Sequence, residues 1–97
     1  MNRCWLLKTE PSTYSFADLR RDKRTAWTGV TNAAALIHLR NMRKSDLAFI
    51  YHTGDEKQIV GIAEIIRDAY PDPEADNPKL VAIDLKPKRA LKQPVTL

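Results

Sequence analysis

The chain has a single cysteine, no apolar run of 18 residues and no grouping of metal-ligating residues, and each absence removes a class of protein. The lone thiol, Cys4, finds no partner for a disulfide within the chain, which fits a reducing compartment. Without a long apolar run, no membrane-spanning helix is expected. The opening Met1-Asn2-Arg3-Cys4 lacks the apolar stretch of a secretory signal, so an intracellular, cytoplasmic protein is expected. His38 and His52 stand far apart and no Cys/His pair has ligand spacing, so neither a metal nor another cofactor is expected. Nucleophile elbow, phosphate loop and metal motifs are also missing. There are no internal repeats and no low-complexity linker.

What is present has the size of one small globular domain, 1–97, with 43% hydrophobic residues. Such a domain buries only about 60–65% of its unfolded surface, so its core is modest. The formal net charge of +4 mildly favours an anionic partner. The cations gather as Arg20-Arg21-Asp22-Lys23-Arg24, Arg40-Asn41-Met42-Arg43-Lys44, and Lys86-Pro87-Lys88-Arg89 with Lys92. Any one cluster alone reads as solvated surface. Three of them flanking aromatic segments point toward nucleic acid, because phosphate contacts supply affinity independent of sequence.

Read in order, Cys4 to Lys8 is a short apolar strand stopped by Pro11. Ser15 and Asp18 have capping-box spacing for a helix over about 16–22 that turns Phe16 and Leu19 inward. Arg24 to Val30 reads as a loop holding Trp27. Asn32 caps a second helix, about 33–42, with Ala35, Ile37, Leu39 and Met42 for its packed face. After a turn at 43–46, Leu47 to His52 is a strand, and 53–57 turns into a further strand, Gln58 to Arg67. Gly61 inside that strand predicts a bulge or a close approach. Tyr70 to Pro78, proline-rich and acidic, reads as a loop, and Leu80 to Lys86 as a last clear strand. Pro94-Val95-Thr96-Leu97 reads as the start of something more. The resulting β-α-α-β-β-β order predicts an α+β domain: a small, curved, mostly antiparallel sheet or open β-barrel with two short helices near the N-terminus.

The most informative stretch is Trp27-Thr28-Gly29-Val30-Thr31-Asn32, an aromatic beside a flexible turn. With Trp5-Leu6-Leu7-Lys8-Thr9-Glu10-Pro11 and Phe49-Ile50-Tyr51-His52 it interleaves aromatic faces with single hydrogen-bonding groups. A pocket for one flat, polar ligand needs that mixture. Trp5 fits a core position as well as a pocket wall, whereas a large aromatic in a polar loop, Trp27, favours the pocket. Tyr51 shares strand parity with Leu47 and Phe49, which predicts a ring partly in the core and a hydroxyl at a rim. His52 falls on the other face. Asn32 is a helix cap first, and Cys4 is expected to be an inert buried thiol.

Five runs together resemble the EVE domain family: Trp5 to Pro11, Trp27-x-Gly29-Val30-x-Asn32, Asp46 to His52, Ile59 to Glu64, and Ala69-Tyr70-Pro71-Asp72-Pro73. That family belongs to the PUA-like superfamily and includes the thymocyte nuclear protein group. The resemblance implies a PUA-like barrel that binds DNA or RNA by holding one base, a chemically modified one, in a pocket. It implies base contacts from Trp5, Lys8, Thr9, Glu10, Trp27, Gly29, Val30, Asn32, Tyr51 and His52. Phosphate contacts are expected from Arg20, Arg21 and Arg24. A base taken from its stack loses a few kcal/mol, and aromatic faces restore about 1–3 kcal/mol per base.

Two departures stand out. The family's Arg-Asn-Tyr-Gln-Ala after the Gly-Val step is here Thr31-Asn32-Ala33-Ala34-Ala35, which removes an arginine and an aromatic. Family members also continue beyond the Pro-Val-Thr-Leu step, so either a shortened member or a fragment of a longer chain is expected; an incomplete barrel would leave an exposed sheet edge, open to homodimerisation or strand exchange. A competing reading is a protein–protein adaptor that uses this edge and the acidic loop. An enzyme would have to draw on Asp46, His52, Glu64 or Cys4, and no nucleophile or metal motif supports one.

Overall fold

The computed structural model describes residues 3–96, so Met1 and Asn2 of the opening tetrapeptide and Leu97 of the closing step lie outside them. Among the described residues seven elements follow one another: β1 (Cys4–Thr9), α1 (Phe16–Asp22), β2 (Thr25–Trp27), α2 (Ala33–Asn41), β3 (Leu47–His52), β4 (Gln58–Pro71) and β5 (Val81–Thr96). They build one five-stranded sheet in the order β1-β3-β4-β5-β2. β1 runs parallel to β3 and the remaining pairs are antiparallel. The fold is therefore the expected α+β class with an open, mostly antiparallel sheet.

Local chemistry sets both helix starts. Ser15 Oγ accepts from the Asp18 N–H at 3.0 Å while Asp18 accepts from the Ser15 N–H at 2.8 Å, the reciprocal pair the spacing predicts. Asn32 Oδ1 accepts from the Ala35 N–H at 3.0 Å and caps α2. The core lies between the helices and the inner sheet face: Leu7, Phe16, Leu19, Leu36, Leu39, Met42, Ile50, Ile65, Ile83 and Leu85. Gly61 combines both readings of its position. The β3–β4 register slips beside it, and a Cβ there would lie 2.5 Å from the Phe16 ring. Phe16 can seat only because residue 61 has no side chain.

Several expectations are corrected. The expected loop around Trp27 contains β2, which pairs with β5 at Thr25↔Leu85 and Trp27↔Ile83. Three residues carry no periodicity, and the pairing is non-local. β4 continues to Pro71, and β5 runs to Thr96 rather than stopping near Lys86, through Pro87 and Pro94. Each long strand is held by the other across several register slips, which accommodate the prolines. In α2 it is Leu36, not Ile37, that packs inward; Ile37 is 56% exposed. An unbroken apolar run, Ala33 to Ile37, leaves the helix face undetermined until the sheet selects it. Cys4 is exposed, on the outer face of β1. In β3 the inner face is Ala48, Ile50 and His52, so Tyr51 lies on the outer, half-exposed side.

Candidate nucleic-acid interface

The two sheet edges, β1 and β2, face each other across a seam. Trp27, the last residue of β2, stands in it half-buried, with a cleft on either side. On one side Thr9, Thr13, Tyr14, Thr25, Ala26 and Thr28 join Trp27 around about 250 Å³. The Tyr14 ring meets the indole edge-on, 6.4 Å between centroids at 86°. Tyr14 is itself anchored, its hydroxyl donating to Asp22 at the end of α1 over 2.9 Å. Burial is the largest influence on the Tyr14 phenol and pushes its pKa up, so it stays a donor at neutral pH. The other cleft, about 290 Å³, is apolar: Leu6, Leu7, Val30, Ala35, Leu39 and Met42, with Lys8 and His38 beside Trp27.

The turn that follows Trp27 is tied down from afar. Gly29 adopts a left-handed conformation, φ 75°, and its N–H donates to Asp72 at 2.9 Å. Asp72 is buried and also accepts from the Glu74 N–H at 2.8 Å, while the Thr28 hydroxyl donates to Glu74. The acidic loop thus holds the aromatic turn in place. Asp72, Tyr14, Thr13, Thr25 and His38 escaped the sequence reading as site residues. Only Asp72, flanked by prolines, carried a local signal, that of a side chain able to close a turn.

The ten expected base contacts divide. Lys8, Thr9, Trp27 and Val30 line the clefts, and Gly29 fixes the adjoining turn. Trp5 lies elsewhere, donating its Nε1–H to Asp46 at 3.0 Å with His38 tilted against its ring. Glu10 points to the β3–β4 turn, against Gly54 and Thr53. Asn32 is engaged as a cap, and Tyr51 lies under Lys8, whose Nζ is 5.8 Å from the ring centroid. His52 is buried: its Nε2 accepts from the Phe16 N–H at 3.0 Å, which leaves Nδ1–H to face Glu56 at 3.0 Å. It therefore fastens the start of α1 to the end of β3.

Residues 3–97 match the EVE domain. The chain belongs to the EVE domain family. Thymocyte nuclear protein 1 of Rattus norvegicus is 31% identical over 123 aligned residues, covering 100% of this chain and 54% of that protein. The chain thus spans about half the length of the curated relatives it matches. Protein Rpa0253 from Rhodopseudomonas palustris, solved by NMR, is 48% identical with a TM-score of 0.92, covering 98% of this chain and 67% of that one. Human THYN1, solved in complex with 5-methylcytosine containing DNA, is 31% identical with a TM-score of 0.87, covering 97% of this chain and 70% of that one.

Within this EVE domain the basic clusters fare differently. Arg21 is held by Asp18 at 2.9 Å and Asp22 at 3.0 Å, and Arg24 lies 4.0 Å from Asp84. Arg40 and Arg43 donate to the carbonyls of Lys79 and of Arg40 and Met42, closing the end of α2. Arg20 lines a third cleft with Lys88 and Arg89. Of the acid–base groups an enzyme would need, His52 ends β3 about 20 Å from Asp46 at ~3.3 Å per residue, Cys4 and Glu64 both pair with Leu47 beside Asp46, and Glu64 meets Lys88 at 3.7 Å. The edges an adaptor would offer, β1 and β2, are the strands that line the seam.

Proposed function

We propose that this EVE domain is a non-catalytic DNA-binding module that holds one base, 5-methylcytosine, against Trp27. The observation that carries this reading is a tryptophan standing in the seam with open space on both sides. The human relative, alike in fold over 97% of this chain, was solved with 5-methylcytosine containing DNA. The indole supplies stacking, and Thr9, Thr13, Thr25 and Thr28 present hydroxyls to the base edge. The 5-methyl group, in the plane of the base, would meet Ala26 and the Tyr14 ring within the same cleft. Lys8 at the rim, with Arg20 and Arg24, provides cations for the flanking phosphates, while Arg21 is taken up by Asp18 and Asp22. RNA with the same base offers the same edge, so it belongs in the test.

The test is fluorescence anisotropy with single- and double-stranded DNA and RNA, each plain and with 5-methylcytosine. One methyl group is worth about 1–3 kcal/mol in a matched recess, so a preference near tenfold for methylated DNA is expected. It should vanish in Trp27→Ala. Equal binding of plain and methylated oligonucleotides would remove the modified-base reading, and tighter binding of RNA would move the partner class.

A further inference from the structure

We propose that the groove between α1 and β5 carries the phosphodiester backbone of the DNA strand whose base lies at Trp27, an assignment that rests on the base-holding reading. The groove encloses about 460 Å³ and is lined by Phe16, Arg20, Pro87, Lys88, Arg89 and Ala90. Four of these are consecutive in β5, although a regular strand shows only alternate residues to one side. The reason is a bulge. The β4–β5 register passes from Ala63↔Pro87 to Ile62↔Arg89, leaving Lys88 as the extra residue. Bulges re-aim side chains in this way, and here the result is two adjacent cations in one groove.

Charge separates this groove from the other basic clusters. Among the described residues no carboxylate lies within 4.0 Å of Arg20 or Arg89. Lys88 touches Glu64 at 3.7 Å yet keeps 51% of its side chain exposed. Arg21, by contrast, is already neutralised by two aspartates. The groove floor is Phe16, itself 4% exposed, and Pro87, an apolar surface that strengthens the field of cations beside it.

Position ties the groove to the base. β2 pairs with β5 at Thr25↔Leu85, next to the cleft wall. Lys88 and Arg89 lie three and four residues further along β5, about 10–13 Å at ~3.3 Å per residue. That equals roughly three to four base steps measured along a duplex axis at ~3.4 Å each. The strand should therefore leave the base pocket over Arg24 and Lys86 and settle between Arg20 and the bulge.

The experiment measures anisotropy of labelled methylated and unmethylated DNA against salt for wild type and for Arg20→Gln, Lys88→Gln, Arg89→Gln and the triple variant. Removing one phosphate-binding cation should lower the slope of log affinity against log salt by roughly 0.7–0.9, and removing all three by about 2–3. Affinity should fall for both DNAs alike, leaving the methyl preference intact. Oligonucleotides shortened to two nucleotides on one side of the base, and not on the other, should mimic the triple variant. If wild type binds with its methyl preference but the triple variant keeps the wild-type slope, the groove assignment is overturned and the base pocket stands. If wild type binds no DNA, the base-holding reading fails and the groove falls with it. Far-UV circular dichroism of the variants, all at exposed cations, checks the fold.

Discussion

Two tryptophans stand on the two edge strands of one sheet, and their surroundings differ. Trp5, on β1, commits its only polar atom to Asp46, which also accepts from the backbone N–H groups of Arg3 and Arg43, each at 3.0 Å. Every donor in that knot is matched to one buried carboxylate, and the His38 ring packs at a tilt against the indole. Trp27, on β2, also packs half-buried against the core, but its ring meets Tyr14 in a T-shaped pair and clefts flank it. An indole with its N–H satisfied by a buried carboxylate is structure. One with open space beside it is the proposed surface for a ligand, so equal residue types on equivalent strands have different surroundings.

The sharpest way to break this contrast is Asp46→Ala. It strands two backbone N–H groups and the Trp5 Nε1–H, and hydrogen bonds to a charged acceptor are worth about 1.5–3 kcal/mol each where desolvated. A loss of about 3 kcal/mol in urea unfolding is expected, and a change under about 1 kcal/mol would mean the knot is not structural. Burial works to raise the Asp46 pKa, but the donors from Arg3, Trp5 and Arg43 together outweigh it and hold it below its ordinary value. A carboxyl depressed on folding stabilises above its unfolded pKa, near 3.8, and loses that contribution as pH falls through the lower folded value. Wild type should therefore lose stability below about pH 4 more steeply than Asp46→Ala.

Next in size is Trp27→Ala, expected to cost about 1–3 kcal/mol of DNA affinity, the worth of one stacked base, with little change in unfolding midpoint. If its stability loss matched that of Asp46→Ala, the two tryptophans would not differ in kind. Trp5→Phe keeps an aromatic ring and removes only the donor to Asp46. It should destabilise by about 1.5 kcal/mol and leave DNA affinity untouched, the mirror image of Trp27→Ala. The smallest effect is expected from Gly29→Ala. A Cβ there meets nothing within 4 Å, so only the left-handed backbone is strained, by about 1 kcal/mol. Its DNA affinity should fall while the core stays intact in urea unfolding, since the turn beside Trp27 takes the strain.

Much of the frame was legible because its signals are local. Ser15 and Asp18, Asn32, the alternation of β3, and Gly61 each act on neighbours within a few residues or through a missing Cβ. What escaped was set by partners far along the chain. β2 is visible only against β5, and the inner face of α2 only against the sheet. The site followed the same division. Trp27 was singled out as a large aromatic in a polar stretch, whereas Tyr14 and Asp72 take their places through Asp22 and Gly29. His52, read as a pocket residue, is buried against Phe16 because strand parity alone does not say which face is inside.

The sequence by itself determined the family, the helix starts and the α+β class, because capping, residue type and motif order are properties of short stretches. Tertiary structure alone decided that β1 and β2 meet across a seam and that an acidic loop pins the turn beside Trp27. It also decided that Arg20 shares a groove with Lys88 and Arg89. Those juxtapositions depend on where a curved sheet brings its edges and where a bulge turns its side chains, and no local pattern of residues encodes either.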